Sequence, residues 1–528
     1  MASQPDYTNT NHDLKTKMYG LFFIIFATIT RRLTLAQDEQ SFNSSFNKQP
    51  EANYATFETI RKIAALNATK LYALKHSMEK SPFEIWYYKD KFKSLEGMSL
   101  SSELYNNQFV ERQTTKSRLQ NIMTRVLLGQ NIGVTVMGGS ISAGGGMIKD
   151  YSNLRGIYYR VFIDWWQKAV QPFTESSIRL RNLAVGGTGS NFYSFCYKTL
   201  MKPEDNMDIV FLEFSVNDYL LFKDSHFPRA LSLEELTREL LSEKSLPAVM
   251  FVNFIKGENS VPNCNNLENH GQTMLAWHYG ITSLSMRESL CPNVGDKKCP
   301  TMFSSDGQHA GIIPHAQIAM MIIDNVRSAL LEVLESSKQG FHLLSTHDLP
   351  RAVYCMDNHS VVPDPLCYTL ITPDETKKFF NPSLSVTEIQ NEGFKLFQGV
   401  SIGVREAFSR RFNSEPSRTD GFGGWEAEKE NSTLKLKIDL PQKGLLGGNV
   451  TRNVAIVFRT NGYGGKAKVW LENYKPEIVV DTYSPFGHTR LVTVTRHVTP
   501  GSHVLTVKVV KAGKFFLCGV MAAGKSVL

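Results

Sequence analysis

The chain has 528 residues, 42% of them hydrophobic, 20% charged and 11% aromatic, which is a globular composition too rich in core formers for a disordered protein. A single hydrophobic core stops growing at about 250–300 residues, so this length implies at least two domains. The net charge of +8 comes without any basic block of the kind that tracks a phosphate backbone, which leaves nucleic acid without support as a partner.

Residues 1–36 carry one apolar run, Met18 to Ile29, preceded by Lys15 and Lys17 and bounded by Arg31 and Arg32. A spanning helix needs about 20 apolar residues, so the run reads as a secretory signal peptide; an uncleaved signal-anchor is the alternative. Either way the globular part faces the secretory-pathway lumen or the exterior, free or tethered. Membrane contact is expected only through an uncleaved anchor. Seven cysteines without a C-x-x-C pair argue for disulfides over a zinc or redox site. Cys291 with Cys299 and Cys355 with Cys367 lie close enough to close short loops, although connectivity stays open and an odd count leaves one thiol over. Sequons at Asn43, Asn67, Asn358, Asn431 and Asn449 agree with a secreted glycoprotein without demonstrating one.

Residues 37–117 are polar with helix-like patches at 56–78, and are read as an N-terminal helical extension. From 118 to 338, apolar β-branched runs at 132–137, 178–185, 208–214 and 248–254 predict buried strands. The stretches between them read as helices. Residues 158–170 have a bulky apolar face; 231–242 carry a capping-box pattern, Ser232 to Glu235, with Leu233, Leu236 and Leu240 at helical spacing; Pro314 opens a last helix. This alternation predicts a parallel α/β sheet with helices on both faces. The segment 256–303, with Cys264, Cys291 and Cys299, gives no fold signal but is placed to shape a site from above.

Beyond residue 339 the period changes to two, with Leu434, Leu436, Ile438 and Leu440 alternating with polar residues and further short runs at 454–458, 469–471, 478–480, 491–494, 504–510 and 515–521. Turn residues such as Pro441, Asn461-Gly462, Gly464-Gly465 and Pro500-Gly501 separate them, so 339–528 is read as an antiparallel β-sandwich and a candidate carbohydrate-binding domain. Trp165, Trp166, Trp425 and Trp470 are expected in cores rather than as sugar platforms.

Parallel sheets gather functional groups at the carboxyl ends of their strands. There the chain carries Gly138-Gly139-Ser140 opening a glycine-rich loop to Gly146, then Gly186-Gly187, then Ser215-Val216-Asn217-Asp218, and Asp306 three residues before His309 ahead of the last helix. Each piece alone has a plain alternative: a helix cap, a turn, an Asx-turn, a surface histidine. Nucleotide motifs fail. Gly145 stands where a P-loop needs Lys, and the P-loop string from Gly519 to Ser526 has only two residues after it, too few for the helix such a loop must precede. Ser140 also lacks the G-x-S-x-G context of an α/β-hydrolase elbow, because residue 142 is Ser.

In order, the four pieces resemble the four blocks of the SGNH, or GDSL-type, hydrolases, over residues 118–338. The resemblance implies a three-layer α/β/α flavodoxin-like catalytic domain, here followed by a jelly-roll-like sandwich. It implies Ser140 as nucleophile, His309 as base and Asp306 as the residue orienting the base. An oxyanion hole would come from the N–H groups of Ser140 and Gly187 and the side chain of Asn217. Two positions depart from the family: Gly139 replaces the usual Asp, and Ser215 replaces a Gly and adds a side chain beside the hole. No metal and no cofactor is implied. The chemistry is coherent, since a serine hydroxyl is a poor nucleophile until a base of pKa near 6.5 takes its proton.

The function expected is a secreted serine esterase acting on an acylated carbohydrate or another small ester. Two alternatives remain: an acyltransferase using the same acyl-serine, and a catalytically silent surface protein that binds glycans or partners.

Overall fold

The computed structural model describes residues 68–79, 113–147, 156–202, 204–222, 230–257, 267, 271–294, 302–336, 349–354, 365–371, 373, 381–397, 423–442 and 451–524. The signal-like run, Cys264, Cys299, Cys355 and all sequons but Asn431 lie outside them.

Five parallel strands, β1 (Ile132–Gly138), β2 (Ile178–Asn182), β3 (Ile209–Glu213), β4 (Ala248–Asn253) and β5 (Thr282–Ser285), pair in the order β2-β1-β3-β4-β5. That is the flavodoxin-like order, with its switch point between β1 and β3. Strands β1, β3 and β4 are buried along their whole length because helices cover both faces, which is why they read as continuous apolar runs. Side chains alternate between two cores: Ile209 and Phe211 face one layer, Val210 and Leu212 the other. The first layer contains α1 (Ala68–Glu79), α2 (Gln113–Leu127), α3 (Tyr158–Ala169) and α9 (Ile312–Ser336). The second contains α4 (Ser190–Leu200), α6 (Leu231–Leu241) and α7 (Gln272–Tyr279). Two further helices, α5 (Ser215–Phe222) and α8 (Met286–Val294), follow β3 and β5 directly. Among the described residues no helix is long and apolar enough to cross a membrane.

The capping box expected at Ser232 is not formed. Helix α6 starts at Leu231 with Ala230 at its N-cap and no side-chain cap, which puts Ser232 inside the helix. Glu234, the acidic residue of the first turn and not the one in the expected box, accepts the N–H groups of Val353 and Tyr354 at 2.6 and 2.7 Å.

The C-terminal third is an antiparallel β-sandwich, so the chain is an α/β unit followed by a jelly-roll-like one. One sheet runs β13 (Ile478–Asp481), β12 (Lys466–Leu471), β15 (Gly501–Lys511), β10 (Thr433–Leu440), β7 (Ser385–Glu392). The other runs β14 (Thr489–Val498), β11 (Arg452–Arg459), β16 (Phe515–Ala523), β9 (Gly424–Ala427), β8 (Lys395–Phe397), with β6 (Leu366–Thr369) also pairing β16. The described part of the P-loop string, residues 519–524, is thus the end of a strand. In β10 the leucines and Ile438 are buried and alternate with more exposed residues, the mark of a sheet with one wet face. Strands β11 and β16 are buried throughout. Their second face, with Ala455, Val457, Phe516, Cys518 and Met521, joins the core around α4, so the sandwich is packed directly on the parallel sheet's helices. Trp165, Trp166 and Trp425 are buried and Trp470 is half-buried.

A disulfide between Cys196 on α4 and Cys367 on β6 ties the two units together. This corrects the short-loop pairing of Cys367 with Cys355: packing of β6 against α4 brings in a partner 171 residues away. Cys291 is also disulfide-bonded, and Cys518 is a free, buried thiol.

Candidate active site

The four sequence blocks meet at the carboxyl edge of the parallel sheet. Ser140 stands in the turn after β1, and its Oγ lies 2.9 Å from Nε2 of His309. The other ring nitrogen, Nδ1, lies 2.7 Å from Oδ2 of Asp306. The second carboxylate oxygen of Asp306 accepts the Ser304 hydroxyl at 2.7 Å and the N–H groups of Gln308 and His309 at 2.8 and 3.0 Å. Burial works against ionisation of Asp306, but the hydrogen bonds and charge of His309, with the Ser304 bond, outweigh it and hold its pKa below the usual carboxylate range. The result is a fixed carboxylate, imidazole and hydroxyl in line.

Asn217 lies in the first turn of α5 with its amide against the nucleophile loop. A Cβ built on Gly139 would fall 1.5 Å from Asn217 Nδ2, so in this geometry only glycine admits the amide, and the family's Asp has no room. Glu213, the last residue of β3, braces the loop instead. Its Oε2 accepts the N–H groups of Gly139 and Ser142, each at 3.2 Å. Burial pushes the Glu213 carboxyl up to about 8 against those two hydrogen bonds. Ser215, the other departure, does not crowd the hole: its hydroxyl donates to the carbonyl of Phe254 at 2.8 Å. Asp218 accepts the N–H of Ser190 at 2.8 Å and so caps α4, with burial raising its pKa to about 7.

Gly187 is buried in the loop after β2, and the Val185 N–H bonds to the Gly138 carbonyl at 3.0 Å, which sets this loop beside that of Ser140. Among the described residues, the N–H groups of Ser140 and Gly187 and the amide of Asn217 make no hydrogen bond. Three open donors beside one activated hydroxyl can receive a developing oxyanion.

The sandwich reaches the same place, which the sequence did not indicate. Arg459, at the end of β11, donates through Nη1 to the carbonyl of Gly186 and to the Thr489 hydroxyl, both at 2.9 Å. The Thr489 N–H donates to the carbonyl of Gly187 at 2.8 Å. Lys256, after β4, holds its ammonium 5.7 Å from the centre of the Phe486 ring, and Gly257 beside it donates to the carbonyl of Gln308 at 3.1 Å. Phe486 is 50% exposed. Glu213, Arg459 and Phe486 were all missed. Of these only Glu213 had a local signal, an acidic residue closing an otherwise apolar strand.

The chain thus joins a doubly wound α/β sheet, with a hydroxyl, an imidazole and a carboxylate at its carboxyl edge, to a β-sandwich, which defines a two-domain architecture. No family model matches the sequence, and no curated protein matches it. Among solved structures, this fold is similar to that of a two-domain esterase, CEX, active on acetylated mannans and co-crystallised with mannopentaose. The two are 20% identical over 78% of this chain and 95% of that chain, with a TM-score of 0.52. A second crystal structure of CEX aligns over 78% of this chain and 96% of that one, at 20% identity and a TM-score of 0.50. An acetyl xylan esterase from Geobacillus stearothermophilus is 16% identical over 38% of this chain and 96% of that one, with a TM-score of 0.28. At these identities the shared property is the fold, and it is the one the SGNH resemblance implied.

Proposed function

We infer that the chain is a secreted SGNH-type serine esterase whose substrate is a carboxylic ester, an O-acetyl group on a carbohydrate. The catalytic unit would occupy residues 118–338 and the sandwich 339–528. The carrying observation is the hydrogen-bonded line Asp306–His309–Ser140, 2.7 and 2.9 Å, opening onto three unpaired donors.

In this reading Ser140 Oγ attacks the ester carbonyl carbon as His309 Nε2 takes its proton. Asp306 holds the ring's other N–H and stabilises the imidazolium. The tetrahedral oxyanion meets the N–H groups of Ser140 and Gly187 and the amide of Asn217, each worth about 2.7–4 kcal/mol in comparable holes. The carbon–oxygen bond to the sugar breaks, and the alkoxide leaves with the proton from His309. Water then repeats the attack on the acyl-serine, releasing the acid and restoring the hydroxyl.

The substrate class is supported by CEX, which acts on acetylated mannans, and by the half-exposed Phe486 at the site's edge, a face on which a sugar ring can stack. The disulfide between Cys196 and Cys367 supports an oxidising compartment. The two departures from the family, which would otherwise favour a silent protein, do not block this chemistry, since Ser215 is turned to Phe254 and Gly139 makes room for Asn217.

The test is Ser140→Ala together with a fluorophosphonate probe. Wild type is expected to label at Ser140 and to release acetate from acetylated oligosaccharides, with the variant down by about 10⁴-fold or more. A variant that keeps full turnover removes the reading. Turnover with a sugar acceptor present separates hydrolysis from acyl transfer.

A further inference from the structure

We propose that Arg459, from the sandwich, is a positioning residue for the oxyanion hole, holding the Gly186–Gly187 peptide so that the N–H of Gly187 faces the reacting carbonyl. The inference rests on the esterase reading and adds that the α/β unit alone does not complete the site.

The argument is geometric. The carbonyl of Gly186 and the N–H of Gly187 belong to one planar trans peptide and point in opposite directions. Fixing the oxygen therefore aims the hydrogen. Arg459 Nη1 fixes it at 2.9 Å, and a guanidinium on a carbonyl also draws electron density toward the oxygen and strengthens the opposite N–H as a donor. The next peptide is held from the same side: Thr489 donates its N–H to the Gly187 carbonyl at 2.8 Å and shares a 2.8 Å hydroxyl contact with Thr188. Both peptides flanking the donor thus take their orientation from strand ends of the sandwich, at Arg459 on β11 and Thr489 on β14, which are register partners.

Glycine at 187 fits the same scheme. Its φ is +68°, a region that costs L-residues energy, and a Cβ there would lie 2.3 Å from the carbonyl oxygen of Gly487 and 3.2 Å from Arg459 Nη1. The backbone of the sandwich sits where a side chain would be. Arg459 itself is 6% exposed, so its charge acts in a site poor in competing water.

The experiment compares the full-length wild type with Arg459→Ala, Arg459→Met and Arg459→Lys. It reads kcat and KM on a short acyl ester, the rate of fluorophosphonate labelling of Ser140, and thermal melting. A lost donor orientation lowers kcat and the labelling rate together by about 10- to 100-fold with KM little changed, because the hole acts on the transition state. Lys is expected to restore part of the rate, and free guanidinium ion part of the rate of Arg459→Ala. Where Arg459→Ala fails to fold, Arg459→Met, which keeps the packing of the stem, carries the test. Folded Ala or Met variants with wild-type kcat and labelling overturn the proposal while leaving the esterase reading intact. A wild type that the probe does not label at Ser140 overturns both.

Discussion

The two arms of the site are braced from different places. The loop of Ser140 is held by its own unit: Glu213 on β3 ties down the N–H groups of Gly139 and Ser142, and the Asn217 amide fills the space beside Gly139. The loop of Gly187 is held by the sandwich, through Arg459 and Thr489. In the proposed esterase reading, the nucleophile's arm is a property of one fold, whereas the oxyanion arm is a property of the contact between two. Disturbing that contact should therefore cost oxyanion stabilisation before it costs nucleophilicity.

Among changes to the supports of the two arms, the largest expected effect is at Gly187. In Gly187→Ala the added carbon meets the Gly487 carbonyl at 2.3 Å in a backbone conformation with φ of +68°. The loop must shift and the donor with it, so kcat is expected to fall by about 10²–10³-fold, the usual cost of one oxyanion donor. Steady-state kinetics beside a melting curve checks this. A variant with unchanged kcat would show that residue 187 donates nothing.

On the other arm, Gly139→Asp restores the residue usual in the family, yet a Cβ there would displace Asn217 Nδ2, 1.5 Å away. A gain of activity is what family likeness alone suggests; a loss of about 10²-fold is expected here, since misplacing a reacting-site group by about 1 Å costs that much. Improved turnover in this variant would refute the internal brace.

The brace also has a pH signature. Burial raises the Glu213 carboxyl from 4.5 to about 8. Between those values the folded protein binds the proton more readily than the unfolded chain, so this group's contribution to stability is full below 4.5 and is lost as pH rises toward 8. Asp218, raised to about 7, acts in the same direction, while Asp306, held low, contributes above its unfolded value and loses that contribution as pH falls. Glu213→Gln is expected to flatten the decline in melting temperature between mildly acid and mildly alkaline buffer. An unchanged slope would mean that the carboxyl does not titrate differently on folding.

The blocks that build the nucleophile's arm were legible in the sequence, whereas neither their brace, Glu213, nor the external brace, Arg459, was, for a physical reason. Blocks around Ser140, Asn217 and His309 follow buried strands or precede a helix, and apolar runs such as residues 209–212 declare those elements locally. Strand β5, Thr282–Ser285, is four residues with a single aliphatic side chain and gave no such signal. In the sandwich, β10 announced itself by alternation, but the continuous burial of β11 and β16 marked an interface that periodicity cannot assign to a partner. Arg459 meets Gly186 across 273 residues, a pairing created only when two cores merge.

The smallest effect should separate substrate binding from chemistry. Phe486 lies on the sandwich side of the site, half exposed, with Lys256 over its ring and the Lys256 segment tied to the His309 loop through Gly257. Tyr483 and Tyr463 are exposed on the same group of loops, where Asn461 bridges to Tyr483. An aromatic face so placed can stack on a sugar ring that carries or neighbours the ester without touching the reacting atoms. Phe486→Ala is therefore expected to raise KM for an acetylated oligosaccharide by about 3- to 10-fold, the range of a lost stacking contact of about 0.5–1.5 kcal/mol. Its kcat, and its kinetics on a small acetyl ester without a sugar, should stay at wild-type values. Equal losses on both substrates would instead place Phe486 with Arg459 and Thr489, as part of the wall that holds the oxyanion arm rather than a platform for the glycan.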